Sequence, residues 1–151
     1  MLPEGWSGGL DHEDIVIRVA TRGDVLAVLD LWSCARSAAA RTPDDVAGVE
    51  RLIERSPDAL LVAERDGRIV GVLIAAWDGW RGNMYRLAVL PEVRRQGIGR
   101  RLVEEGLDRL RAKGARRVTA LVGSEEGEAM ALWVATGYER DDLVVRFVRN
   151  L

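Results

Sequence analysis

The stretch Met84-Tyr85-Arg86-Leu87-Ala88-Val89-Leu90-Pro91-Glu92-Val93-Arg94-Arg95-Gln96-Gly97-Ile98-Gly99-Arg100-Arg101-Leu102-Val103 decides the reading of this chain. It runs from an apolar strand, through a turn begun by Pro91 and a basic loop holding two glycines, into a helix. A loop that empties into a helix N-terminus presents unpaired backbone N–H groups at the positive end of the helix dipole, and glycines let an anion come close. The stretch is therefore a candidate phosphate site.

Two nucleotide-binding patterns fail here. A Walker A loop needs Lys and then Ser or Thr after its last glycine, whereas Arg100 and Arg101 follow Gly99. A dinucleotide fingerprint needs a third glycine where Leu102 stands, and no acidic residue closes a second strand at the required distance. What fits is Arg-x-x-Gly-x-Gly, spelled Arg94-Arg95-Gln96-Gly97-Ile98-Gly99, directly after Leu-Ala-Val-Leu-Pro.

Outward from this stretch, Ile15 to Val19 is predicted as a strand, and Thr21 with Asp24 as the cap of a helix carrying Val25, Leu26, Leu29, Trp32, Cys34 and Ala35. Thr42-Pro43-Asp44-Asp45 predicts the start of a second helix reaching Arg55, with Val46, Val49, Leu52 and Ile53 inward. Ala59 to Glu64 and Arg68 to Trp77 are strands joined by Asp66-Gly67, a hairpin dipeptide. Met84 to Leu90 is the fourth strand. A third helix follows from Gly97 to Lys113, then a strand from Arg116 to Val122, a helix from Glu125 to Thr136 capped by Ser124, and a last strand from Leu143 to Val148. Gly106, inside the third helix, predicts a close approach of another backbone.

The chain has 151 residues, one cysteine, a net charge of −2 and 48% hydrophobic residues. That length buries a core without disulfides, and the single Cys34 excludes an intramolecular one. Residues 1–14 read as a loose leader and 15–151 as one domain. The apolar runs are too short to span a membrane and no secretory signal is visible, so a cytoplasmic location is expected. An overall acidic balance disfavours nucleic acid as a partner. The local cluster of Arg94, Arg95, Arg100 and Arg101 suits a compact, highly charged small molecule better.

The Arg-x-x-Gly-x-Gly loop after its strand resembles the acetyl-coenzyme A signature of the GNAT superfamily of N-acetyltransferases, and the order of elements from Ile15 to Leu151 is similar too. The tract Trp77-Asp78-Gly79-Trp80-Arg81-Gly82 more locally resembles small bacterial acetyltransferases of the YpeA type. The resemblance implies an α/β (α+β) GNAT fold: a mixed, mostly antiparallel sheet of six to seven strands, splayed between the fourth and fifth, with four helices. It implies acetyl-coenzyme A as cosubstrate, no metal, an amine acceptor on a small molecule or peptide, no membrane, and a homodimer as a common assembly. The backbone amides of Gln96, Gly97, Ile98, Gly99 and Arg100 would hold the pyrophosphate, with Arg94 and Arg95 beside them. Leu87, Ala88 and Val89 would line the pantetheine arm, Leu87 and Val89 through their main chain. A valine at Gly99 is expected to weaken that binding and leave the fold cooperative.

Acetyl transfer to an amine needs a neutral amine, a polarised thioester carbonyl and a proton for the departing thiolate. In the family the proton commonly comes from a tyrosine in the fourth helix, whose position here is Trp133, with Glu126 at an asparagine position. An indole N–H donates a hydrogen bond but not a usable proton. Trp133 is therefore expected to shape the thiol pocket, and Tyr138 and Tyr85 are the candidate catalytic phenols, Tyr85 on the same face as Leu87. Tyr138 also occupies the family's aromatic packing position. Arg36, Arg41, Asp44, Asp45, Trp80 and Arg81 are candidate acceptor contacts. His12 falls in the leader, and Cys34 reads as a buried, inert thiol. The absent tyrosine leaves open a second reading, an acyl-coenzyme A-binding module with impaired catalysis.

Overall fold

The structure, a computed structural model, describes residues 14–35 and 42–151. Residues 1–13 of the leader, with His12, and the residues Arg36 and Arg41 lie outside the described residues. The elements are β1 (Val16–Val19), α1 (Val25–Ala35), α2 (Val46–Arg55), β2 (Leu60–Arg65), β3 (Arg68–Trp77), β4 (Gly82–Val89), α3 (Ile98–Ala112), β5 (Val118–Ala120) and α4 (Gly127–Ala135).

The sheet runs β1-β2-β3-β4-β5 in space, antiparallel throughout except for the parallel pair β4 and β5. Parallel neighbours need a crossover, and α3 supplies it. At the β2–β3 hairpin Asp66 and Gly67 both have positive φ, at +50° and +75°, as a two-residue turn of this hand requires. The centre of the sheet is fully buried: Leu61, Val62, Ala63, Val72 and Leu73 have no exposed surface. Each valine or leucine buried in this way contributes about 1.5–3 kcal/mol. From α3, Ile98, Leu102, Val103, Gly106 and Leu110 pack on the sheet. Val25, Val28, Leu31 and Trp32 of α1 are buried as well.

Several expectations need correction. The sheet has five strands among the described residues, not six to seven. The predicted last strand, Leu143 to Val148, is irregular, with Leu143 96% and Phe147 92% exposed. Its residues favour strand, but β5 pairs through only three residues. The chain also turns away just before the tail, where Asp141 accepts the Leu143 N–H and pairs with Arg117. The second helix is capped by Asp45 rather than Thr42: the Asp45 carboxylate accepts the Gly48 N–H at 2.6 Å. Leu26 and Cys34 lie on the exposed side of α1, because the inward stripe passes through Val28 and Leu31 instead.

Candidate active site

The site is built where β4 and β5 part. Their pairing covers Gly82 to Met84 against Val118 to Ala120 and stops there, so Tyr85 to Val89 has β3 on one side and no β5 partner on the other. The edge of β4 is thus open along the residues that the resemblance assigned to the pantetheine arm.

A bulge reshapes this open edge. Ile74 of β3 faces Tyr85 and Val72 faces Ala88, so two steps along β3 match three along β4. Arg86, at φ +57°, absorbs the extra residue, a left-handed conformation that is uncommon outside glycine. The inserted residue changes the phase of the strand: Tyr85 shares its face with Ala88, not with Leu87 as expected from simple alternation. Arg86 is a residue of this edge that the sequence reading passed over. Its signal was present in the sequence, an arginine in the middle of an otherwise apolar strand.

Beyond the strand, Pro91 to Val93 forms a 3₁₀ turn, and Arg95 and Gly97 follow with φ of +63° and +78°. The first helical bond of α3 runs from the Arg101 N–H to the Gly97 carbonyl at 3.0 Å. The amides of Ile98, Gly99 and Arg100 therefore precede the intrahelical ladder, and Gly97 brings no side chain to cap them. A Cβ on Gly97 would meet nothing within 4 Å, so that face of the loop is open. Gly99 differs: a Cβ there would stand 3.0 Å from Leu132 Cδ2 and 3.7 Å from Val89 Cγ2. Gly99 lets α3, α4 and the end of β4 close on one another, so a valine there presses on the Leu132 side chain as well as on the space over the loop.

The arginines divide their contacts. Arg94 Nε donates to the Val89 carbonyl at 3.1 Å, folding back over the strand end. Arg95 pairs with Glu128 of α4 and Arg100 with Glu104, both in exposed positions, while Arg101 donates to the Ile15 carbonyl. Exposed pairs of this kind are worth about 0–1 kcal/mol and exchange readily for a better anion.

Trp133 is buried, 6% exposed, and meets Tyr138 edge to face with ring centroids 4.9 Å apart. The Tyr138 hydroxyl donates to Met84 Sδ at 3.2 Å. Met84 is the last residue of β4 paired with β5, so this hydroxyl lies at the base of the parting. Burial pushes the Tyr138 phenol up to about 12, and it raises Tyr85 also. Both are neutral phenols near pH 7 and neither is a phenolate base. Asp78 accepts the Trp80 and Arg81 N–H groups, fixing the turn before β4, and the Arg81 guanidinium covers the Trp80 ring at 5.4 Å. Among the described residues no group of three or more His, Cys, Asp or Glu could hold a metal ion, and no helix is long and apolar enough to cross a membrane.

Comparison with known proteins agrees with this architecture. Residues 25–138 match the family model described as acetyltransferase (GNAT) family. An acetyltransferase of Pectobacterium atrosepticum is 31% identical over 129 residues, covering 85% of this chain and 90% of its own. Among solved structures, the ribosomal-protein-alanine N-acetyltransferase of Brucella melitensis is 26% identical, with a TM-score of 0.70 over 82% of this chain and 84% of that one. An acetyltransferase of Salmonella typhimurium, yncA, solved with its cofactor acetyl-CoA, is 22% identical with a TM-score of 0.72, covering 90% and 88%.

Proposed function

Because the chain belongs to the acetyltransferase (GNAT) family, we propose that it moves the acetyl group of acetyl-coenzyme A directly to a primary amine of a small molecule, a peptide N-terminus or a lysine. The observation that carries this reading is the conjunction of an uncapped α3 N-terminus, open space over Gly97 and an unpaired β4 edge leading away from it.

These residues fit the donor. A pyrophosphate accepts charge-assisted hydrogen bonds worth about 1.5–3 kcal/mol each, and Ile98, Gly99 and Arg100 offer three amides in one turn. Gln96 and Gly97 extend the same concave run, and Arg94, Arg95 and Arg100 are within reach once their exposed contacts release. Main-chain groups of Leu87 and Val89 extend a pantetheine arm as an added strand, and Ala88 keeps the opposite face of β4 flat. When bound, acetyl-coenzyme A supplies an activated thioester carbonyl for attack by the amine. The chain's own contribution is orientation and charge placement. The bulge aims a β4 amide into the parting, Trp133 walls the thiol end, and the Tyr85 hydroxyl orients the acceptor or its water. Tyr138 keeps its proton well past neutrality, and its present acceptor, a thioether, is weak. Giving up that contact costs little, so the hydroxyl can hydrogen-bond the departing sulfur, although a phenol raised to about 12 is a weaker acid than the thiol and hands over its proton uphill.

The tryptophan in place of the family's usual helical tyrosine favours one second reading, a coenzyme A-binding module with impaired catalysis. Thermal unfolding with and without acetyl-coenzyme A, run beside a thiol-release assay on a panel of amines and peptides, separates the two. Stabilisation with amine-dependent release supports the enzyme. Stabilisation without release supports the binding module.

A further inference from the structure

The Arg86 side chain makes a set of contacts that donor binding does not explain. Its guanidinium grips Asp44 with two nitrogens, Nη1 to Oδ2 at 3.1 Å and Nη2 to Oδ1 at 2.8 Å, and Nη2 donates also to the Thr42 carbonyl at 2.6 Å. The pair is largely shielded, with side chains 14% and 16% exposed. The Trp32 ring of α1 lies under the guanidinium at 5.6 Å, and the Trp32 indole N–H donates to the Arg86 carbonyl at 3.1 Å. One residue thus holds three things together: the α1 face, the segment just before α2, and the extra residue of the β4 bulge.

We propose that Arg86 is a positioning residue that locks the β4 bulge to the Thr42–Asp45 segment, so that the amide aimed at the reacting carbonyl and the acceptor side of the cleft keep one relative geometry. The proposal rests on the acetyl-transfer reading above. Its physical basis is that a left-handed arginine in a strand is held only when its surroundings over-determine it. Here the carbonyl is held by one hydrogen bond and the side chain by a planar fork matched to a carboxylate, a geometry that lysine does not reproduce. A consequence follows for the acceptor. Asp44 is engaged by Arg86 and Asp45 caps α2, so recognition of the acceptor amine falls to other groups, such as Tyr85.

The test uses Arg86→Gln, Arg86→Lys, Trp32→Phe, which removes the indole N–H but keeps a ring, and Asp44→Asn. Each is assayed for kcat and KM with the best amine of the panel and for acetyl-coenzyme A affinity by calorimetry. Backbone amide spectra of residues 42–45 and 85–88 are recorded in parallel. Misplacing reacting groups by an ångström is worth up to about a hundredfold in rate. Arg86→Gln is therefore expected to lose about tenfold to a hundredfold in kcat with acetyl-coenzyme A affinity nearly unchanged. Arg86→Lys recovers only part, and Trp32→Phe gives a smaller loss of the same kind. Asp44→Asn moves the resonances of 85–88 although it lies on another element. Full kcat in Arg86→Gln would overturn the proposal, as would 85–88 resonances that ignore Asp44→Asn, or a rate loss fully matched by lost donor affinity. If the wild type transfers to no amine, the functional reading fails on its own, and the coupling of the two segments is still decided by the spectra.

Discussion

Gly97 and Gly99 are two residues apart in one motif and serve different ends. At φ +78° an L-residue is strained by about 1–2 kcal/mol, and at Gly97 its side chain would project into the open space where the donor's phosphates are proposed to lie. Gly97→Ala is expected to weaken acetyl-coenzyme A binding at least tenfold and lower stability by about 1–2 kcal/mol, read by calorimetry and urea unfolding. Gly99→Val meets the end of the Leu132 side chain at 3.0 Å, so that side chain has to give by a few tenths of an ångström, and its loss of binding should come with a lower melting temperature. An unchanged melting temperature would count against that packing role. The tyrosines yield to a similar comparison. Tyr138→Phe removes a hydroxyl bonded to a thioether, a structural change of under about 1 kcal/mol. A fall in kcat of tenfold or more with little change in stability marks Tyr138 as the proton donor. Trp133→Tyr, which places a phenol where the family commonly has one, should raise kcat if proton supply limits turnover; no rise would show that it does not.

At the scale of elements, most of the fold was legible because each element carries its own local chemistry. The Asp66-Gly67 turn, the apolar run of β3 and the α3 stripe of Ile98, Leu102, Val103 and Leu110 are set by period and turn residues alone. What could not be read depended on partners distant in sequence. Leu143 to Val148 has strand composition, yet a strand needs an edge to add to, and composition does not reveal that β5 is three residues long. The phase change at Arg86 is invisible in period-two alternation because a bulge is a property of a strand pair. Gly106 was expected to admit a backbone; it admits side chains instead, since a Cβ there would stand 2.8 Å from Met84 Cε, 3.2 Å from Leu73 Cδ2 and 3.3 Å from Ala75 Cβ. Gly106→Val should overpack this contact by about 1–3 kcal/mol, measured as a shift in urea midpoint. A neutral outcome would mean that α3 moves freely on the sheet. The entry to α1 offers a pH test. Arg18, which pairs with both Asp24 and Glu64, holds the Asp24 carboxyl down to about 2, chiefly through its hydrogen bonds. A depressed carboxylate stabilises the fold above its unfolded pKa of about 3.9 and loses that contribution as pH falls through its folded value. The stability difference between wild type and Asp24→Asn should therefore be full at pH 5 and shrink between pH 4 and pH 2. A constant difference would show that the pair does not titrate in that window.

At the scale of the molecule, the sheet is continuous at one end and open at the other, and everything assigned to function gathers at the opening. The uncapped amides of α3, the free edge of β4, the Trp133 and Tyr138 rings at its base and the Arg86 contacts all lie along the stretch that follows the parting of β4 and β5 after Met84 and Ala120. The glycine loop and the uncapped start of α3 were readable in the sequence because local residues set both. The pairing of Asp44 with Arg86 was not, because it joins segments far apart in the chain. The central claim is that this opening catalyses acetyl transfer to an amine. Its most direct measurement is release of free coenzyme A from acetyl-coenzyme A across a panel of amines and peptides, with the product weighed by mass spectrometry. The account predicts saturable, amine-dependent release matched one for one by acceptors heavier by a single acetyl group. Release no faster than the enzyme-free blank for every acceptor would contradict it.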